Sequence, residues 1–265
     1  MIKKILATLM ATGTFMGASV SNTHLNVVRQ PKTVTATVDE VTVPETTEVE
    51  MERFFYLPFE SGSVLRSTYT SGCYGENEVC IGIFATTTMQ NYSGIQKLCM
   101  DLATADEDFA GTLEKFATWS NSKVIADIKS DDSQLVAEFK KLDEINHERF
   151  LNLQLLTMEK KFKQIMKNQH VEWLDDCSPA LVGSYYSLLN WIPYAGWENA
   201  ISSEKTDKQN LISLYAMVYD KLGAYANFDS KINERFERQE EFALDMLYGE
   251  KEYDEVTSWM INPQW

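Results

Sequence analysis

Histidine appears only three times in 265 residues, at His24, His147 and His170. The chain also has no Gly-x-Ser-x-Gly turn, no phosphate-binding glycine loop and no dinucleotide fingerprint. A Ser-His-Asp hydrolase therefore lacks its strained nucleophile turn, and nucleotide chemistry lacks a phosphate cradle. Basic residues are scarce as well: 24 Lys and Arg stand against 39 Asp and Glu, for a formal charge of −15 and a pI near 4.7. No Lys/Arg cluster offsets that charge locally, and a field of this sign repels phosphate backbones, so nucleic acid is excluded as a partner. The carboxylate pairs that a glycosidase needs occur by chance in so acidic a chain and identify nothing.

Long apolar runs are missing too. The stretch from Ile5 to Phe15 is interrupted by Thr8, Thr12, Gly13 and Thr14 and falls short of the ~20 residues that a membrane-spanning helix requires. With Lys3 and Lys4 ahead of it and Gly17, Ser19 and Ser21 behind, residues 1–21 read as a cleavable signal peptide. The expected location is secreted or periplasmic. No cysteine lies near the cleavage region to carry a lipid anchor.

Cysteine is limited to Cys73, Cys80, Cys99 and Cys177, all beyond the signal. Export into an oxidising compartment predicts two disulfides. Cys73 and Cys80 enclose a loop containing Gly75 and Asn77, which suggests a pinned hairpin stabilised by about 2 kcal/mol through chain entropy. Their spacing is too wide for a zinc knuckle. Cys99 and Cys177 are then left to staple two long helical segments.

The chain divides by composition. Residues 22–50 are rich in Thr, Val and Glu without bulky anchors, as an extended linker is. Residues 51–90 carry Phe54, Phe55, Tyr56, Phe59 and Tyr69 between Pro58, Gly62 and Gly72, which predicts a small β-rich region. From residue 91 to 265 the period is helical, and the expected fold class is mainly α: an elongated up-down bundle of long amphipathic helices after a disulfide-pinned hairpin.

Within that region a helix, or two in line, is expected over 91–129, with an interruption at Asp106 to Asp108. A helix initiated by Asp131, Asp132 and Ser133 should run to about Leu174. Its apolar stripe changes face. Leu135, Phe139, Leu142, Phe150 and Leu153 share one side, and Leu151, Leu155, Met158, Phe162 and Ile165 share nearly the opposite one, so the helix must meet different partners along its length. Ser178 and Pro179 mark a fresh start. The last segment, 205–249, keeps a four-three repeat through Leu211, Tyr215, Val218, Leu222, Tyr225, Asp229, Ile232, Phe236, Gln239, Ala243 and Met246, favouring one continuous helix. A tail with Trp259, Met260, Ile261 and Trp265 is expected to fold back.

Two constellations invite a functional reading. Glu144 and His147 have the Glu-x-x-His spacing of di-metal bundles, but neither other histidine has Glu three residues before it. No catalytic, cofactor-binding or metal-binding residue is assigned, and no cofactor is expected. The second is the aromatic segment 181–197, where Tyr185, Tyr186, Trp191, Tyr194 and Trp197 are candidates for binding or membrane contact, with core filling as the alternative. The leading expectation is a non-enzymatic exported protein that binds a protein or other envelope or extracellular macromolecule. The alternatives are a membrane-active, pore-forming-like protein inserting residues 181–197 and a helical metal-dependent enzyme.

Overall fold

The structure, a computed structural model, describes residues 50–60, 68–69, 71–73, 78–88, 94–192, 194–224 and 230–249. These fall in one compact unit spanning 49–265. The expected signal, nearly all of the expected linker and the fold-back of the C-terminal tail lie outside the described residues.

The unit is mainly helical with a small three-stranded antiparallel sheet. The strands β1 (Ser71–Cys73), β2 (Val79–Ile81) and β3 (Thr86–Thr87) lie in sequence order. Gly82, at φ 81°, takes the left-handed conformation that opens the turn from β2 to β3, and Ala85 N–H closes it on the Gly82 carbonyl at 2.9 Å.

Neither expected disulfide is formed; there is none among the described residues. In the β1–β2 register position 73 opposes Val79, and Cys80 opposes Gly72. A cross-strand disulfide joins directly opposed positions, so the pair is one residue out of step. Instead the Cys80 thiol fills the space beside Gly72, 3.4 Å from where a Cβ would stand. Cys99 and Cys177 fail to meet for a different reason: each packs with a different hydrophobic cluster.

Helix α1 (Gly94–Ala105) ends where the Asp106 side chain accepts from the Phe109 amide and starts a new turn. The expected in-line continuation is corrected here, because short turns over residues 107–117 lead back and Glu114–Ala117 packs on α1. Ser120 caps α2 (Asn121–Ile128) and Ser133 caps α3 (Gln134–Ile145).

The single long helix expected over 131–174 also divides. At Asn146 the backbone leaves the helical region (φ −160°, ψ 93°), and its side chain accepts from Arg149 N–H at 3.0 Å to cap α4 (His147–Asn168). An Asn side chain competes with the helix for backbone donors, and here the cap won. The two apolar faces read from the sequence do serve two cores. Leu135, Phe139, Leu142, Phe150 and Leu153 pack in one cluster with Val79, Ile95 and Cys99. Leu151, Leu155, Met158, Phe162 and Ile165 pack in another with Phe54, Tyr186 and Leu214. Helix α4 is thus shared, and Gln154 at the changeover accepts from Ile83 N–H at 3.1 Å and donates to the Thr68 carbonyl at 2.9 Å.

Ser178 and Pro179 open α5 (Pro179–Trp191) as expected. The final segment is two helices, α6 (Asp207–Ala224) and α7 (Ser230–Tyr248), packed against each other. Tyr219 O–H donates to Glu240 at 2.7 Å, and Lys208 reaches the Tyr248 hydroxyl. In one continuous helix residues 208 and 248 would stand about 60 Å apart, so the segment is an antiparallel hairpin. The repeat survives because both arms turn the same stripe inward: Leu211, Tyr215, Val218, Leu222, Phe236, Gln239 and Ala243 are all buried.

Candidate functional site

Helix α5 is predominantly apolar and is enclosed, with residues 180–189 all buried. Tyr185 and Tyr186 accordingly have no exposed surface. Tyr185 O–H donates to Gln169 Oε1 at 2.9 Å, and Tyr186 packs against Phe162 and Phe54 with ring centroids 4.9 and 5.8 Å away. Burial pushes both phenols well above the usual tyrosine range. At the end of the helix Trp191 is half-buried between Phe236, at 5.0 Å, and Trp197, stacked at 6.2 Å.

The segment after α5 behaves differently. Trp197 is fully buried, and its indole N–H donates to the Ile192 carbonyl at 2.7 Å. Gly196 takes the left-handed conformation at φ 82°, and its carbonyl accepts from Asn199 Nδ2 at 3.0 Å. Lys221 on α6 lies over the Trp197 ring, 5.4 Å from its centroid. On this anchored base Tyr194 is 69% exposed and Ile192 39% exposed. Of the five aromatic residues singled out in the sequence, three are wholly core, Trp191 supports the loop, and Tyr194 alone is presented to solvent.

The Glu-x-x-His pair does not form a site. His147 Nδ1 pairs with Asp143 Oδ1 at 2.7 Å, Thr68 bonds the same carboxylate, and Glu144 lies 3.8 Å from Lys140 at the surface. The break at Asn146 separates Glu144 and His147 onto different helices, which removes the common face that the spacing implied. His170 is exposed at the end of α4 with φ 59°. Among the described residues no three His, Cys, Asp or Glu side chains converge as a metal site requires. An open depression of about 300 Å³ beside the start of α3 contains Ser71, Ser130, Asp131 and Ser133 with no histidine among its lining residues.

The densest charge cluster is one that the sequence did not announce. Arg53, 7% exposed, pairs with Glu50 at 2.6 Å, Asp175 at 3.1 Å and Glu159 at 3.5 Å, and it also donates to the Asp175 carbonyl. Lys163 bridges Glu159 and Asp175 from outside, at 3.1 and 3.8 Å. The partners are up to 122 residues away in the chain, so no local pattern could have indicated them. The cluster fastens the segment entering the fold to α4 and to the turn before α5, and burial of the Arg53 guanidinium is tolerated because it is paired with carboxylates that are themselves partly exposed.

No protein-family model matches the chain, and neither a curated protein nor a solved structure matches it.

Proposed function

We propose that this is an exported, non-enzymatic helical protein that binds another macromolecule of the cell envelope or extracellular space through the exposed Ile192 and Tyr194 side chains. The observation that carries the reading is the presentation of Tyr194 on a base held by the buried Trp197, its hydrogen bond to Ile192 and the left-handed Gly196. An exposed aromatic on a preorganised support loses little conformational freedom on binding, and tyrosine is prominent among interface hot spots. The partner is a protein or other envelope macromolecule rather than a nucleic acid, given the charge of −15. An elongated up-down bundle suits this role by offering long rigid faces, and the α6–α7 hairpin supplies one antiparallel step of such a bundle.

Bilayer insertion of residues 181–197 is the less favoured alternative. It would have to draw Tyr185, Tyr186 and Trp197 out of the core, at a cost of roughly 1.5–3 kcal/mol for each large apolar side chain. Among the described residues no helix is long and apolar enough to cross a membrane.

Affinity capture with the mature protein should identify one envelope partner, and Tyr194→Ala should weaken its Kd by about 30-fold, the scale of a 2 kcal/mol hot spot, with melting temperature unchanged. Unaltered affinity in Tyr194→Ala would refute the loop as the contact. Turnover of a substrate with no partner would refute the binding role, and dye release from liposomes would favour insertion.

A further inference from the structure

The outer flank of the α6–α7 hairpin carries an apolar strip. Lys208 reaches the Tyr248 hydroxyl and lies over its ring, 4.9 Å from the centroid, so positions 208 and 248 meet across the hairpin. One turn further in on both helices the antiparallel register sets Ile212 beside Leu244, and the next turn sets Ala216 beside Glu240. Ile212 is 48% exposed and Tyr248 56%; Ala216 is exposed and Leu244 half-buried.

Two cations stand at the start of α6 without carboxylates. Lys205 donates to the Ala200 carbonyl and to Ser213 Oγ, Lys208 is engaged with Tyr248, and neither meets an Asp or Glu among the described residues. In a chain with 39 Asp and Glu against 24 Lys and Arg, such a pair marks a place that acidic chain fits.

Helix α7 ends beside these lysines. Gly249 takes φ 67°, and its N–H returns to the Met246 carbonyl at 3.2 Å, closing the helix level with the start of α6. The sequence continues with Glu250, Glu252, Asp254 and Glu255 against Lys251 alone, and then with Val256, Trp259 and Met260, spaced by three and four residues. Trp259 follows Tyr248 by eleven residues, a reach of up to ~40 Å, whereas Ile212 lies only about 6 Å along α6 from Lys208.

We propose that residues 250–260 fold back onto this flank, with the acidic part against Lys205 and Lys208 and with Val256, Trp259 and Met260 covering Ile212, Ala216 and Leu244. A second copy of the chain is disfavoured as the occupant, because two copies at a charge of −15 repel, while the attached segment is held beside the strip at high effective concentration. Lys221, the α6 residue over Trp197, lies about 20 Å along the helix from Lys208, so the contact is independent of the Tyr194 surface.

Limited chymotrypsin digestion of the full mature chain reads the docking at Tyr253 and Trp259. Ile212→Glu places a charge in the strip at an exposed position and should speed cleavage at both sites about tenfold, as local release does, with cleavage elsewhere unchanged. Carbodiimide coupling of mixed isotopically light and heavy protein should join Lys205 or Lys208 to an acidic residue of 250–255 within one chain. Equal cleavage rates in the parent and Ile212→Glu would overturn the proposal. So would the absence of that cross-link in the parent, which needs no variant to fold, or its appearance only between light and heavy chains, which would assign the strip to a second copy.

Discussion

Gly183→Ala offers a sharp test of how the aromatic entry segment is held. Gly183 lies inside α5, where alanine normally gains about 1 kcal/mol in helix propensity. A methyl at this position would stand 2.6 Å from the Arg53 carbonyl oxygen and 2.7 and 2.8 Å from two atoms of the Phe55 ring. Neither neighbour can yield cheaply. Arg53 is fixed by its ion pairs, and Phe55 is buried and stacked on Phe242. Overpacking of such a site costs up to about 3 kcal/mol, which outweighs the propensity gain and leaves a net loss of about 2 kcal/mol. For a unit of this size that lowers Tm by about 4–8 °C. Gly111→Ala provides the control, because the nearest atom to its new methyl would be Glu107 Cγ at 3.7 Å, ordinary contact. Thermal and urea unfolding followed by circular dichroism should show Gly183→Ala clearly destabilised and Gly111→Ala equal to or slightly above the parent. If both alanines stabilise the protein, the close packing of residues 51–55 on α5 is wrong.

Gln154→Leu leaves the Ile83 amide and the Thr68 carbonyl without their partner, and at 1–3 kcal/mol for each orphaned group a loss of about 3 kcal/mol in urea unfolding is expected; a loss below 1 kcal/mol would contradict the bridging role. His170→Gly relieves a left-handed backbone on an exposed residue and should raise stability by about 0.5–1 kcal/mol, read as a higher urea midpoint at unchanged slope. Alkaline pH should destabilise the fold. Burial raises the Cys99 thiol from 9.0 to about 12, and burial with Asp207 beside it raises Cys177 to about 11, so the unfolded chain loses these protons first. The stability they contribute is fully present below pH 9 and declines as pH rises from 9 toward 12. Urea midpoints between pH 8 and 10.5 should fall with a slope that Cys99→Ala makes shallower, and an unchanged slope would show that the buried thiol does not ionise on unfolding.

Much of the fold was legible because it is local. The change of apolar face between residues 135 and 165 follows from counting about 100° per residue, and both faces do line separate cores. The caps at Ser133 and Ser178 were equally readable, since capping involves side chains within a few residues of the amides they serve. The candidate site was legible in composition only. Spacing picked out Tyr185, Tyr186, Trp191, Tyr194 and Trp197 together, while separating the exposed ring from the buried ones depends on which other helices arrive. Helices α4, α6 and α7 and the residue 51–57 segment pack around the others and leave Tyr194 exposed.

What the sequence by itself determined is the helical character of the chain, the small strand region before it, the inward stripes and the strong negative charge. Tertiary structure alone decided the rest. Strand register placed Cys80 opposite Gly72, and packing put Cys99 and Cys177 in different clusters. Chain reversal turned an unbroken heptad pattern into the α6–α7 hairpin. Three carboxylates remote from one another in the chain, two of them more than a hundred residues beyond Arg53, came together around it. The physical reason is the same in each case. Periodicity and capping are fixed within one or two turns of backbone, whereas register, reversal and charge pairing depend on the free energy of contacts between distant segments, which no local window contains.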